Sequence, residues 1–159
     1  MSSQLYKRLA RDMMSRTVVT VNARDEVHDA LELMIENRVS ALPVLDHDGR
    51  CVGILSTRDF VDVAYELDES LSALEHESEL WWGTFVRNLS QHVGQRSVME
   101  LMTEDVVSVG PETLLVQAAS KMLQERVHRL PVVDAQGRLL GIISMSDVLR
   151  AFVECAPQA

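Results

Sequence analysis

Two short motifs combine a serine, an aspartate and the expected start of a helix. Ser56 precedes Asp59 by three residues, and Ser144 precedes Asp147 by the same distance. This spacing predicts a capping box, in which the carboxylate accepts a hydrogen bond from the backbone N–H of the serine. The same helix start offers free N–H groups and a partial positive charge that suit an anion. An aspartate there can also accept from two vicinal hydroxyls, as on a ribose, and the two roles can coexist.

The sequence around these motifs favours binding over catalysis. Gly53 and Gly141 each precede the serine by three residues, and a residue without a side chain lets a ligand approach the backbone closely. Neither common phosphate-binding glycine motif is present, and no nucleophile lies in a recognisable pattern with a base. The triplet Asp46-His47-Asp48 has the composition of a hairpin turn. We therefore expect no catalytic residues and no metal site.

Both motifs belong to a long internal repeat. Residues 14–60 align without a gap with residues 102–148, and 18 of the 47 positions are identical. Two copies are too few for a solenoid, so the repeat predicts a pseudo-symmetric pair. Two like surfaces that face each other about a pseudo-twofold axis would create two related clefts.

Each copy begins with the pattern of a strand followed by a helix. The β-branched runs 17–21 and 106–109 predict short strands. Apolar residues at helical spacing follow in both copies. Asp25 and Thr113 lie just before these helices and are expected to be their N-caps.

The second half of each copy has the pattern of a hairpin followed by a helix. Two apolar runs flank a polar turn that ends in Gly49 or Gly137. Because proline cannot donate to a strand ladder, Pro43 and Pro131 should lie at a strand start or a sheet edge. A second helix then begins after the Ser-x-x-Asp serine. Each copy is therefore predicted to be a β-α-β-β-α unit in a mixed α/β (α+β) fold.

Composition restricts the partners and the location. The chain has 159 residues, 47% of them apolar, and a formal net charge of −9. Such an acidic chain is not expected to bind nucleic acid or an anionic membrane surface. The two cysteines fit no metal motif, and neither a signal peptide nor a membrane span is recognised. We expect a cytoplasmic protein.

The order of these elements, found twice, resembles the cystathionine-β-synthase (CBS) domain family. The resemblance rests on the motifs at 53–59 and 141–147, and the run 127–134 is also similar to the nucleotide-sensing γ subunit of AMP-activated protein kinase. It implies a CBS repeat at 8–66, a helical connector at 67–97 and a second CBS repeat at 98–156. The two repeats would pack as a pseudo-twofold pair.

The resemblance implies two composite clefts, each with residues from both repeats. The first would combine Ile54, Ser56, Arg58 and Asp59 with Val127, His128 and Arg129. The second would combine Ile142, Ser144, Ser146 and Asp147 with Val39, Ser40 and Ala41. The backbone at 20–23 and 108–111 should lie beside the base of a ligand.

The clefts differ in charge, and this difference suggests a ligand. Arg58, His128 and Arg129 would give the first cleft three potential cations for a phosphate, whereas the second is nearly neutral. The leading hypothesis is a regulatory module, with no required cofactor, that senses AMP, ADP or ATP, or else S-adenosylmethionine or NAD. The alternative is a structural module with vestigial clefts that homodimerises. In that case Arg129 would be a solvated charge and His128 a packed core residue.

The connector carries both tryptophans, Trp81 and Trp82. These side chains either pack on the pair's own core or form an aromatic contact surface for a second copy or a partner. The family resemblance implies a homodimer, and an effector protein is a further expected partner.

Overall fold

The protein is described from a computed structural model, which covers residues 5–67, 87, 91 and 93–155. The chain divides into two compact units. Unit 1 contains residues 5–18, 47–51 and 106–155, and unit 2 contains residues 19–46, 52–67 and 93–105. Each unit therefore holds most of one repeat together with the segment that begins the other repeat, and unit 1 also holds the hairpin turn at 47–51. Trp81 and Trp82 lie outside the described residues.

The described elements follow the predicted order in both repeats. The first part of the chain forms α1 (Ala10–Met13), β1 (Val21–Asn22), α2 (Val27–Asn37), β2 (Ala41–Leu45), β3 (Cys51–Ser56) and α3 (Thr57–Leu67). The second part forms α4 (Leu115–Glu125), β4 (Arg129–Val133), β5 (Leu139–Ser144) and α5 (Met145–Cys155). Short 3₁₀ turns lie at Leu5–Lys7 and Val98–Glu100. The predicted mixed α/β class is confirmed.

The strand that opens each repeat is shorter than predicted. In unit 2 it is reduced to β1, which pairs in parallel with Val44 and Leu45 of β2. In unit 1, Val109 is the one residue of the predicted strand 106–109 that pairs with β4. Its N–H donates to the Pro131 carbonyl at 3.0 Å, and its carbonyl accepts from the Val133 N–H at 2.9 Å. The N–H and the C=O of a strand residue point to the same neighbouring strand. The Pro131 carbonyl points to residues 106–109, so an N–H at this position would also have pointed to them, but proline has none. The proline therefore limits the pairing.

The predicted hairpins are present, and glycine closes each turn. Gly49 and Gly137 have φ of 78° and 81°, a backbone region that residues with a side chain rarely adopt. Strand β4 pairs antiparallel with β5 from Arg129 opposite Ser144 onward. Pro131 is the third residue of β4 and not its first. Strand β4 is an outer strand of the two-stranded β4–β5 sheet, so Pro131 fits the sheet-edge alternative of the prediction.

The predicted helix caps are displaced by one residue. Helix α2 has Glu26 as its N-cap and α4 has Leu114, and neither of these two side chains makes a capping hydrogen bond. Asp25 instead accepts from the Asn22 N–H at 2.9 Å and so closes the turn before α2. The prediction of Asp25 and Thr113 as caps is wrong, because the chain enters each helix one residue later.

Each unit has its own apolar core. The largest fully buried side chains in unit 2 are Phe60, Leu31, Leu42 and Leu55, and those in unit 1 are Leu115, Met122, Leu130 and Ile143. The apolar stripes of α2 and α4 supply Val27, Leu31, Met34, Leu115, Ala118 and Met122 to these cores. Among the described residues, no helix is both long enough and apolar enough to cross a membrane.

A short segment from one repeat pairs with the hairpin of the other repeat in each unit. In unit 1, Ser15 and Ile142 exchange two backbone hydrogen bonds of 2.8 and 2.9 Å. In unit 2, Thr103 and Ile54 exchange the equivalent pair, of 2.9 and 3.0 Å. We call residues 14–15 and 102–103 the exchanged segments. They occupy equivalent positions in the repeat, so the exchange is reciprocal.

Candidate functional site

The start of α3 carries the first Ser-x-x-Asp motif in the predicted capping geometry. Asp59 Oδ2 accepts from the Ser56 backbone N–H at 2.6 Å and from the Ser56 hydroxyl at 2.8 Å. Ser56 ends β3 and Asp59 lies in the first turn of α3, so the strand-to-helix junction places both groups together. The capping interpretation is confirmed for this copy, and the Asp59 side chain is only half-buried.

The start of α5 carries the second motif with the same bonds. Asp147 Oδ2 accepts from the Ser144 backbone N–H at 2.8 Å and from its hydroxyl at 2.7 Å. Ser144 in turn accepts from the Asp147 backbone N–H at 3.3 Å. Among the described residues, Asp147 is the one charged residue that is buried, with 9% exposure. Charge this far from water is stabilised by the hydrogen bonds that it accepts.

The two carboxylates differ in what faces their second oxygen. Asp59 Oδ1 accepts from the Thr103 hydroxyl at 3.0 Å, and Thr103 belongs to an exchanged segment. Asp147 Oδ1 lies 3.5 Å from Arg150 Nη2, on the same helix. The equivalent of Thr103 is Ser15, whose hydroxyl donates to the Thr17 carbonyl at 3.3 Å. The repeats are therefore chemically different at this point.

The glycines before the motifs accommodate protein and not a ligand. A Cβ on Gly53 would lie against the Met102 side chain, with Cγ at 2.9 Å. A Cβ on Gly141 would lie 2.6 Å from the Ser15 backbone oxygen and 2.8 Å from the Met14 sulfur. The expectation that these glycines admit a ligand is wrong, because the exchanged segments fill the space.

The first residue of α3 and of α5 also donates a backbone hydrogen bond to the residue that precedes β2 or β4 in the same unit. The Thr57 N–H donates to the Ser40 carbonyl at 3.0 Å in unit 2, and the Met145 N–H donates to the His128 carbonyl at 2.8 Å in unit 1. Arg129 lies directly opposite Ser144 in the β4–β5 ladder. The residues just before β2 and β4 are thus brought to the Ser-x-x-Asp motif of the same repeat.

Most of the predicted polar site residues are open to solvent. Arg58, Ser146, Ser40, His128 and Arg129 are exposed. The alternative in which His128 is a packed core residue is therefore wrong. The remaining predicted residues, Ile54, Ile142, Val39, Val127 and Ala41, are half-buried. Each predicted cleft draws residues from both units, and the pairing across units stays a prediction.

Sequence reasoning missed two polar contacts beside the predicted site. Thr103 was not recognised as a partner of Asp59, although a hydroxyl residue follows the methionine in both exchanged segments. Lys121 was also missed: its ammonium donates to the Ser108 carbonyl at 2.8 Å, in the backbone run expected beside a ligand base. The other repeat has Leu33 at the position of Lys121.

Comparison with known families decides what kind of module this is. Residues 10–66 and residues 98–154 each match the family model of the CBS domain. The chain belongs to the CBS domain family. It is a tandem CBS pair, as the repeat and its motifs predicted.

Known relatives include other CBS pair proteins and kinase subunits. The pair is 36% identical over 132 residues to CBSX1, a chloroplastic CBS domain-containing protein of Arabidopsis thaliana, a match that covers 80% of this chain and 56% of CBSX1. It is 33% identical over 124 residues to the gamma-3 subunit of 5′-AMP-activated protein kinase from Sus scrofa, covering 78% of this chain and 21% of that subunit. The chain thus spans about half of the first relative's length. The predicted resemblance to the γ subunit is confirmed, whereas a cytoplasmic location stays a prediction.

A solved relative contains an adenosine nucleotide. The CBS pair resembles Arabidopsis thaliana CBSX2, crystallised in complex with AMP, with a TM-score of 0.70 and 32% identity. The similarity covers 92% of this chain and 96% of that chain. This chain carries a Ser-x-x-Asp helix start in each of its two CBS repeats.

Proposed function

We propose that this CBS pair is a non-catalytic regulatory module that senses an adenosine-containing ligand. It would comprise the repeats at 8–66 and 98–156 joined by the connector at 67–97. The observation that carries the proposal is the pair of Ser-x-x-Asp helix starts, each with a carboxylate oxygen that is not used by the cap. The AMP complex of CBSX2, which is similar over nearly its whole length, supports an adenosine ligand.

The charge difference between the repeats favours a phosphorylated ligand at one cleft. Arg58, His128 and Arg129 are exposed, and two of them are arginines with planar paired donors suited to phosphate. The predicted composite cleft of Asp59 with His128 and Arg129 would therefore prefer AMP or ATP. The cleft of Asp147 with Ser40 and Ala41 would take a less charged adenosyl ligand or stay empty.

Calorimetry with AMP, ATP, NAD and S-adenosylmethionine tests ligand sensing directly. We expect AMP or ATP to bind with a Kd below about 1 mM, or roughly −4 kcal/mol. Asp59→Asn should weaken the binding, and the matched control Glu125→Gln, an exposed carboxylate outside both motifs, should not. If none of the four ligands binds the wild-type chain or raises its melting temperature, the proposed function is wrong.

The phosphate preference has a separate test. Arg129→Ala should weaken AMP binding by roughly 10- to 150-fold, because a hydrogen bond to a charged group contributes about 1.5–3 kcal/mol, and it should leave adenosine binding unchanged. Arg138→Ala, an exposed arginine at the hairpin turn, is the control. Equal losses for AMP and adenosine would assign Arg129 a structural role.

One observation favours homodimerisation as a second function. Helices α4 and α5 of unit 1 present an apolar face, on which Leu123, Leu149, Phe152 and Val153 are 52–75% exposed. A groove of about 270 Å³ in this face has no ionisable residue in its lining. In a twofold dimer the same surface meets itself, so an uncharged face is complementary to its own copy.

Light scattering tests the dimer through this face. Leu123→Glu should give a monomer, because two introduced carboxylates would meet across the axis without a partner. Ile35→Glu, at the equivalent position of the first repeat and 47% exposed, is the matched control. A wild-type monomer, or a Leu123→Glu dimer, would exclude this face.

A further inference from the structure

The acceptor positions of Asp59 are mostly in use before any ligand arrives. A carboxylate offers about four lone-pair positions on its two oxygens. Oδ2 accepts from the Ser56 N–H and hydroxyl, at 2.6 and 2.8 Å, and Oδ1 accepts from Thr103 at 3.0 Å. Three positions are therefore filled by partners among the described residues. One position on Oδ1 remains for a ligand.

Asp147 has more open hydrogen-bond acceptor positions than Asp59. Its Oδ2 holds the two equivalent bonds to Ser144. Its Oδ1 faces only Arg150 Nη2 at 3.5 Å among the described residues, and the Arg150 side chain is 62% exposed. This distance is longer than a good N–H···O bond, so both positions on Oδ1 can accept. By this count of hydrogen bonds, two acceptor positions remain on Asp147 Oδ1 and one remains on Asp59 Oδ1.

Thr103 is fixed where it competes with a ligand. Its N–H donates to the Ile54 carbonyl at 2.9 Å, and its own carbonyl accepts from the Ile54 N–H at 3.0 Å. The preceding residue, Met102, packs against Gly53. A β-branched side chain on a fixed backbone has few rotamers, and the rotamer in the structure directs the hydroxyl at Asp59.

We propose that Thr103 is a specificity-determining residue that limits Asp59 to one ribose hydroxyl, while Asp147 accepts two. This inference rests on the proposed adenosine-binding function and deepens it. We call Ser56 with Asp59 and Thr103 the Asp59 half-site, and Ser144 with Asp147 the Asp147 half-site. The Asp59 half-site tolerates the loss of one of the two vicinal hydroxyls, and the Asp147 half-site requires both.

The experiment compares AMP with 2′-deoxy-AMP and 3′-deoxy-AMP on the full chain. Two-dimensional NMR titrations that follow the Ser56 and Ser144 amides give a separate Kd for each half-site. In the wild type, one analogue at most should lose affinity at the Asp59 half-site. Thr103→Val, which is similar in shape and lacks the hydroxyl, should make both analogues bind about fivefold more weakly than AMP there, the usual effect of one hydrogen bond.

Two variants control for a structural effect. Thr103→Ser keeps the hydroxyl and should retain the wild-type pattern. Ser15→Ala removes the equivalent hydroxyl of the other exchanged segment and should change neither half-site. The carboxyl 13Cγ resonance of Asp59 should move in ligand-free Thr103→Val and stay in place in Thr103→Ser.

The outcomes separate this inference from the proposed function. If the wild type binds none of the three nucleotides, both fail. If AMP binds and Thr103→Val leaves the ratios of the deoxy analogues to AMP unchanged, only the role of Thr103 fails. Binding confined to the Asp147 half-site also overturns it, as does a wild-type Asp59 half-site that loses affinity for both analogues.

Discussion

The side chain of Met102 occupies the space that a Cβ on Gly53 would need, with the methionine Cγ at 2.9 Å from that position. Gly141 has the same relationship to Met14, whose Cγ lies at 3.0 Å. The packing of the exchanged segments therefore requires glycine at positions 53 and 141.

Gly53→Ala should destabilise the fold, and Gly141→Ala should destabilise it more. At Gly53 the nearest atoms belong to a flexible methionine, which can move, whereas at Gly141 the nearest atom is the Ser15 backbone oxygen at 2.6 Å. We expect overpacking of this kind to lower the free energy of unfolding by about 1–3 kcal/mol, as measured by urea unfolding.

The double variant Gly53→Ala/Met102→Ala is the control for this mechanism. Removal of the methionine side chain should recover part of the loss caused by the alanine, which gives a coupling energy in a double-mutant cycle. Additive effects of the two substitutions would show that the methionine is not what excludes a side chain at position 53.

Asp147→Ala should cost more stability than Asp59→Ala. Both substitutions remove a helix cap, at about 0.5–2 kcal/mol. Asp147 is 9% exposed, so its loss also leaves the Ser144 N–H and hydroxyl without their acceptor in a drier site. Thermal unfolding of the two variants measures the difference.

The matched controls are Ser56→Ala and Ser144→Ala, which remove one of the bonds to each carboxylate. Ser144→Ala should lose more stability than Ser56→Ala, and both losses should be smaller than those of the aspartate variants. A larger loss for the variants of the first motif would mean that burial does not control the cost.

Arg126→Gly and Arg38→Gly should stabilise the protein. Both arginines end a helix in the left-handed region, with φ of 56° and 52°, where glycine avoids a cost of about 1 kcal/mol. Part of the gain is lost because glycine makes the unfolded chain more flexible. Urea unfolding should show a gain of a few tenths of a kcal/mol, and Arg→Ala at the same positions should show none.

Stability should fall in acid partly through Glu100. Hydrogen bonds from Arg96, and then from Ser97, lower the pKa of Glu100 below its ordinary value of 4.5. The charged form is therefore favoured in the folded state, so its contribution is complete above pH 4.5 and disappears as the pH falls through the folded pKa.

Melting temperatures of the wild type and Glu100→Gln, recorded against pH, check this prediction. The wild type should be the more stable above pH 4.5, and the two curves should converge in acid. A constant difference at every pH would show that the glutamate acts through packing. Because the group is exposed, salt should reduce the difference.

The local elements could be read from the sequence because spacing along the chain specifies them. Apolar residues at helical spacing predicted α2 and α4, and glycine after a polar turn predicted both hairpins. The Ser-x-x-Asp motifs predicted the caps on α3 and α5, since three residues separate donor and acceptor in one helical turn. The N-caps Glu26 and Leu114 were misplaced by one residue, because neither side chain makes the capping hydrogen bond on which the prediction relied.

The contacts of the exchanged segments could not be read in this way. Each segment meets a hairpin through backbone hydrogen bonds, which any residue type can make. Since the two repeats share the residues involved, pairing within a copy and pairing with the other copy look the same in sequence. The chain's path decides between them.

The sequence by itself therefore determined the two repeats, their order of elements and the serine–aspartate helix starts, because local periodicity and capping chemistry specify these. Only the tertiary structure decided that Thr103 faces Asp59 while Arg150 faces Asp147. Thr103 is 44 positions from its partner along the chain, and only the folded backbone brings the two together. That contact makes two nearly identical motifs chemically different.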